Sequence, residues 1–162
     1  RSMVTTDLIK GAFEAIVTAL NVRVAFIPVW VKPLDEDTEL RYPAVWWGPL
    51  SSPISKKKGL SAEVGFSIDI MFLEQTDPNR SPNELLQAHS RMHAIGLICF
   101  LKFCQLYVDN AGSFQGVDLD MNVTEAILLP VYDYVPKQLT GVNLKMTVVA
   151  SGLETCLDNY FT

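Results

Sequence analysis

Charge is what this chain is short of. Asp, Glu, Lys and Arg make up 19% of its 162 residues, against roughly 25% in an average globular protein. The shortfall falls on strands and on the second helix rather than on loops. A solitary domain so poor in charge would leave apolar patches in water, and such patches mark interfaces; the composition therefore predicts a homo-oligomer. Basic charge is scarcer still: the net charge is −5 with a sequence pI near 4.9. The phosphate backbone of a nucleic acid would repel such a chain, so specific nucleic-acid binding is not expected. Cysteine is sparse and odd in number, at Cys99, Cys104 and Cys156, which excludes a disulfide framework. Cys99 and Cys104 fall five residues apart on one helix, where the two sulfurs cannot bond. This is reduced, core-type cysteine and predicts an intracellular protein.

Long apolar runs are missing too. The longest uncharged helical stretch, residues 92–101, lies between Arg91 and Lys102, well short of the roughly 20 apolar residues that span a bilayer. Asp7, Lys10 and Glu14 interrupt the first apolar stretch, so neither a secretory leader nor a membrane partner is expected. Residues 1–162 are read as a single domain, with residues 1–3 set aside as a cloning scar and 152–162 as a C-terminal tail.

Chemistry-bearing motifs are equally thin. The only two histidines, His89 and His93, are four apart on one helix face, the spacing of a zinc pair, but a third ligand and the H-E-x-x-H glutamate are lacking. Asp118, Asp120 and Asn122 open like a calcium loop, yet Val123 replaces the needed glycine and Leu129 the closing glutamate. Asp35, Glu36, Asp37 and Glu39 read as a solvated acidic loop, and Lys56-Lys57-Lys58 before Gly59 as a solvated turn of unassigned role. Each cysteine lies among apolar neighbours that keep a thiol protonated. There is no nucleophile elbow and no glycine-rich phosphate loop. Trp30, Trp46 and Trp47 could stack bases, but with Arg41 as their only basic neighbour they suit a core or a subunit contact better. The expectation is a non-enzyme without metal or cofactor.

Periodicity supplies the architecture. Ile9, Ala12, Phe13, Ile16, Val17 and Leu20 recur at the helical period, predicting a helix over residues 6–20 capped by Thr6 or Asp7 and stopped at Asn21. Residues 22–31 read as a strand apolar on both faces, at an edge or bulged at Pro28. Residues 42–48 form a short strand with Trp46 and Trp47 on opposite faces, and residues 49–59 a flexible connection. In residues 62–74, Val64, Phe66, Ile68, Ile70 and Phe72 alternate with a face that begins polar and turns apolar at Met71 and Leu73. Ser81-Pro82-Asn83-Glu84 is a capping box opening a second helix that runs to about Val108. From Gly96 onward that helix is apolar nearly all round, which predicts burial by more than one layer. Residues 122–135 and 142–151 close the chain as a hairpin over loop 136–141. The class is α+β, in the order α-β-β-β-α-β-β, with a mostly antiparallel sheet and two helices packed on it.

This order resembles the tail terminator and tail completion proteins of long-tailed bacteriophages. The matching parts are the helix over residues 8–20, the strand 22–31, the alternating strand 62–72, the helix opening at Ser81-Pro82, and the hairpin 122–151. The polar first half of the second helix and the 49–59 insertion fall outside the pattern. The resemblance implies a hexameric ring that caps the tail tube, partnered by itself and by other tail or head-tail connector proteins. It also implies a bacterial cytoplasmic location during assembly and a place in the virion tail afterwards. A negative charge suits a lumen through which DNA must pass without being held.

A rival from another class is a small α+β module that binds a peptide or small ligand in one concave aromatic groove. A ring needs two different complementary patches, because its contacts are head-to-tail. The two-faced strand 22–31 and the late apolar turn at Met71 and Leu73 favour two patches. Trp46, Trp47, Met71 and Leu73 are accordingly the candidate subunit interface.

Overall fold

The computed structural model describes residues 5–27, 43–77, 79–110, 120–134 and 138–161. Helix α1 (Thr6–Thr18) is started by Thr5, one residue earlier than the sequence suggests: its hydroxyl accepts the backbone N–H of Leu8 at 3.4 Å. Its apolar stripe, Ile9, Ala12, Phe13, Ile16 and Val17, is fully or nearly buried. Helix α2 (Pro82–Phe103) begins as expected, with the Ser81 hydroxyl accepting the Glu84 N–H at 3.3 Å and proline in the first turn. It widens into a π-helical turn, Cys104–Val108, before the chain leaves it.

The strands are β1 (Ala25–Ile27), β2 (Ala44–Ser51), β3 (Ile54–Ser55), β4 (Glu63–Gln75), β5 (Asp120–Tyr134) and β6 (Leu139–Ser151). They form one sheet in the order β1-β2-β4-β6-β5, with β3 pairing the start of β4. Among the described strands only β1 and β2 run parallel; the other pairs are antiparallel. The class is α+β, as the sequence predicts. The 49–59 connection is more ordered than expected. β2 continues past Pro49 with an irregularity before Ser51, and Pro53 accepts the Gly65 N–H at 2.8 Å as β3 joins the sheet. Of the predicted 22–31 strand, residues 25–27 are seen as β1. The expected bulge at Pro28, Trp30, the acidic loop at 35–39 and residues 118–119 of the rejected calcium loop lie outside the described residues.

Both helices pack on the same face of the sheet, which makes a two-layer domain. Val45 and Trp47 of β2, Phe66, Ile68, Ile70 and Phe72 of β4, and Val142, Leu144, Met146, Val148 and Ala150 of β6 meet the helices in one core. The Phe13 ring stacks on Phe103 at 4.6 Å and tilts against Trp47 at 5.9 Å, tying α1, α2 and β2 together. α2 crosses the sheet mainly over β6, through Ala88, Met92, Gly96, Cys99 and Phe103. Gly96 permits the approach, since a Cβ there would sit 3.2 to 3.4 Å from Val142, Phe72 and Leu128.

The second half of α2 is covered on one side only, not by more than one layer. Leu97, Ile98 and Leu101 remain exposed because the sheet takes one stripe and α1 only part of another. The helical run Pro82–Val108 is long and apolar enough, by length and composition, to cross a membrane. Counting only uninterrupted apolar residues missed this, since Arg91 and Lys102 are spaced widely enough for the intervening residues to dominate. Its buried stripe is nonetheless committed to the sheet.

Candidate functional site

The four candidate interface residues are buried within the single chain. Trp46 is 1%, Trp47 2%, Met71 8% and Leu73 0% exposed, so none offers free surface to a partner. Strand alternation explains the division. Trp47 points into the core beneath the helices. Trp46, paired in register with Met71, points to the opposite face and packs with Leu73, Ala44 and Leu139 in a second apolar cluster. The apolar turn late in β4 is therefore core on the sheet's far face.

The rest of that far face changes character along the strands. Ser67 bonds Thr147 across β4 and β6 at 3.1 Å, and Asp69 stands opposite Lys145. Asn143, a polar residue on β6, is only 8% exposed. Its Oδ1 and the Oδ1 of Asp69 are buried without a hydrogen-bond donor among the described residues, a costly state for an acceptor. Beside them on β5, Ile127 lies opposite Lys145 and Leu129 opposite Asn143, and both are exposed. β5 thus adds an apolar strip next to two unsatisfied acceptors. A bulge between Val123 and Glu125 obscures this in the sequence, because it shifts the alternation by one residue.

A second apolar region lies on the helix layer. Ala15 and Ile16 of α1, with Ala19 and Leu20 just beyond it, face Ile98 and Lys102 of α2 and Leu106 and Tyr107 of the π-helical turn across a cleft of about 290 Å³. Its walls are almost wholly apolar, and exposed Leu97 and Leu101 continue it along α2. Among the described residues Lys102 supplies the one ammonium at its rim, bonded to Gln105 at 3.0 Å.

The histidine pair is a packing element. His89 donates through Nδ1 to the carbonyl of Gly141 at 3.1 Å, and its ring lies against His93 at 5.8 Å and Tyr132 at 5.4 Å. Among the described residues no three His, Cys, Asp or Glu side chains converge on a point that could hold a metal. Burial pushes the Cys99 thiol up to about 11 and raises that of Cys104, where Asp109 adds to the effect. Neither is a ready nucleophile.

The lysine run divides by role. Lys56 donates to the carbonyl of Leu60 within its own turn and lies 4.0 Å from Glu154. Glu154 in turn accepts the N–H of Ala62 at 2.6 Å. That backbone bond first, then the Ser61 side chain and Lys56, hold the Glu154 carboxyl below its ordinary value. Together they pin the start of the C-terminal 3₁₀ helix, Leu153–Asn159, to the sheet. Lys57 and Lys58 are exposed, Lys57 beside a polar cleft of about 350 Å³ lined by Ser55, Ser61, Glu63 and Ser151.

No protein-family model matches the chain, and no curated protein matches it.

Proposed function

We propose that this chain is a non-enzymatic structural subunit that assembles head-to-tail, in the manner of the phage tail terminator and tail completion proteins its layout resembles. The observation that carries the reading is the division of spare apolar surface between opposite faces of the two-layer domain. Leu97, Ile98 and Leu101 are exposed on the outer side of the helix layer; Ile127 and Leu129 are exposed on the far side of the sheet. A head-to-tail contact joins two different patches and leaves one of each free on every growing assembly, which closes into a ring when the rotation permits. A two-fold dimer would need only one patch. The assignment to phage tails rests on the resemblance of layout.

The test measures solution mass by light scattering at several concentrations, images the assemblies by negative-stain electron microscopy, and assays tail completion in a phage-producing host deprived of the wild-type chain. Closed rings, and restoration of tails by the wild type but not by Ile127→Asp, are the expected results. Full tail yield with Ile98→Asp and Ile127→Asp, both folded, would overturn the reading. The cleft between α1 and α2 supports a second reading, a module that takes an apolar peptide or ligand in one concave site. A chain that stays monomeric and captures such a ligand in that cleft would favour it.

A further inference from the structure

The cleft between α1 and α2 has a counterpart on the same molecule. After β6 the chain makes one buried anchor, Leu153, and one polar anchor, Glu154 on the N–H of Ala62. Beyond them it projects Leu157, Tyr160 and Phe161, exposed by 42%, 57% and 74%. A segment held at its base with aromatic side chains at its tip is presented to a partner at little entropic cost. Among the described residues the cleft is lined by the end of α1 and by the run from α2 into the π-helical turn, and segment 157–161 of the same chain does not line it. The charges also match. Lys102 at the cleft has no acidic partner among the described residues, and Asp158, three residues before Phe161, has no basic one.

We infer that the occupant of the α1–α2 cleft is the C-terminal segment 157–161 of a second copy of this chain, with Tyr160 and Phe161 seated among Ala15, Ala19, Ile98 and Leu106 and Asp158 placed near Lys102. The inference rests on the head-to-tail reading and names one contact that would join successive subunits. It is heterologous: each copy gives a tip to one neighbour and a cleft to the other. Apolar contact supplies the attraction, and the single ion pair fixes which way the segment lies, since pairs at such a rim contribute direction more than affinity.

The experiment uses the full chain and two variants whose altered side chains are exposed, Ile98→Asp in the cleft and Phe161→Asp at the tip. Circular dichroism and thermal melting establish that each stays folded. Sedimentation velocity across a concentration series is expected to show association of the wild type, weakened about tenfold or more in each variant, as loss of a central apolar anchor does. Mixing the two variants is the decisive step. Each keeps one intact half, so an equimolar mixture should form a complex of two chains and nothing larger. Lys102→Glu should weaken association, and combining it with Asp158→Lys should restore it.

Wild-type assembly that persists unchanged in Phe161→Asp would overturn this contact while leaving head-to-tail assembly intact. A mixture that sediments as separate monomers would overturn it as well. So would a wild type that stays monomeric at every concentration but binds anionic vesicles through Ile98, since the α2 face would then be a lipid-contact surface. Failure of the assembly reading has a separate signature, full tail yield in a host that lacks the chain altogether.

Discussion

At Gly141 a Cβ would lie 1.9 Å from the carbonyl oxygen of Phe72 and 3.0 Å from the Cβ of Met92. The first contact is with backbone, so no rotamer change relieves it, and β6 would have to leave β4. Gly141→Ala should therefore cost more than the ~1–3 kcal/mol usual for an overpacked core, read as a lower urea midpoint or loss of soluble protein. Stability near that of the wild type would contradict the close approach of β4 and β6. Cys99 gives a chemical test of the same core. Its thiol is held up to about 11 by burial, above the ordinary value of 9.0, so the folded state keeps its proton more tightly than the unfolded one. Its contribution to stability is present below pH 9 and falls as pH rises from about 9 toward 11. At neutral pH Cys99 should resist a thiol reagent until the protein unfolds, whereas partly exposed Cys104 should react first. Rapid native-state labelling of Cys99, mapped by mass spectrometry, would show that the packing of α2 on the sheet does not cover it.

Elements were legible from sequence where two signals agreed. α2 carries a cap, a proline in its first turn and an apolar stripe, and it begins where these place it. β4 alternates without interruption, and its helix-facing side is the side expected. Ser81→Ala should destabilise by ~0.5–2 kcal/mol through the lost cap, measured by urea unfolding; no change would mean that the first turn is held by tertiary contact alone. Legibility failed where register or local pairing overrode composition. The Pro- and Ser-containing stretch after Gly48 looked like a flexible connection, but strand pairing continues through it because Pro49 and Pro53 lie at an irregularity and a strand margin. The lysine turn gave no sign that Lys56 would reach Glu154, a partner 98 residues away. That clamp is pH-sensitive. The lowered carboxyl value of Glu154 means its stabilisation is present above the ordinary carboxylate range and is lost as pH falls through the folded value. Acidification, or Glu154→Ala at neutral pH, should make residues 153–161 more susceptible to protease while the sheet stays intact. Unchanged cleavage would mean that Leu153 alone holds the segment.

At the scale of the whole molecule, composition anticipated surplus apolar surface but not its position. Trp46, Trp47, Met71 and Leu73 looked like interface because the sequence could not show that the sheet has an apolar cluster on each face, each filled within the chain. Exposed apolar residues lie elsewhere, among them Leu97, Ile98 and Leu101 on α2 and Ile127 and Leu129 on β5. Their positions depend on which helix stripe α1 leaves open and on the bulge in β5, neither of which periodicity reveals. Substituting Met71 and Ile127 separates the two accounts. Met71→Asp places a carboxylate in an 8%-exposed site between Trp46 and Leu73; a buried, unpaired charge there should unfold the domain or lower its melting temperature steeply. Ile127 is 54% exposed, so Ile127→Asp should shift stability by no more than ~0.5 kcal/mol. Its carboxylate would also stand opposite Lys145 across the strand pair, a favourable pairing in the isolated subunit. An apolar contact made through that strip would nevertheless have to desolvate the new charge, so association should fall while the melting temperature holds. A stable Met71→Asp would mean that the far-face cluster is open to solvent, and the original four residues would return as interface candidates. An Ile127→Asp that assembles as well as the wild type would remove the β5 strip from the contact and leave the helix layer to carry it.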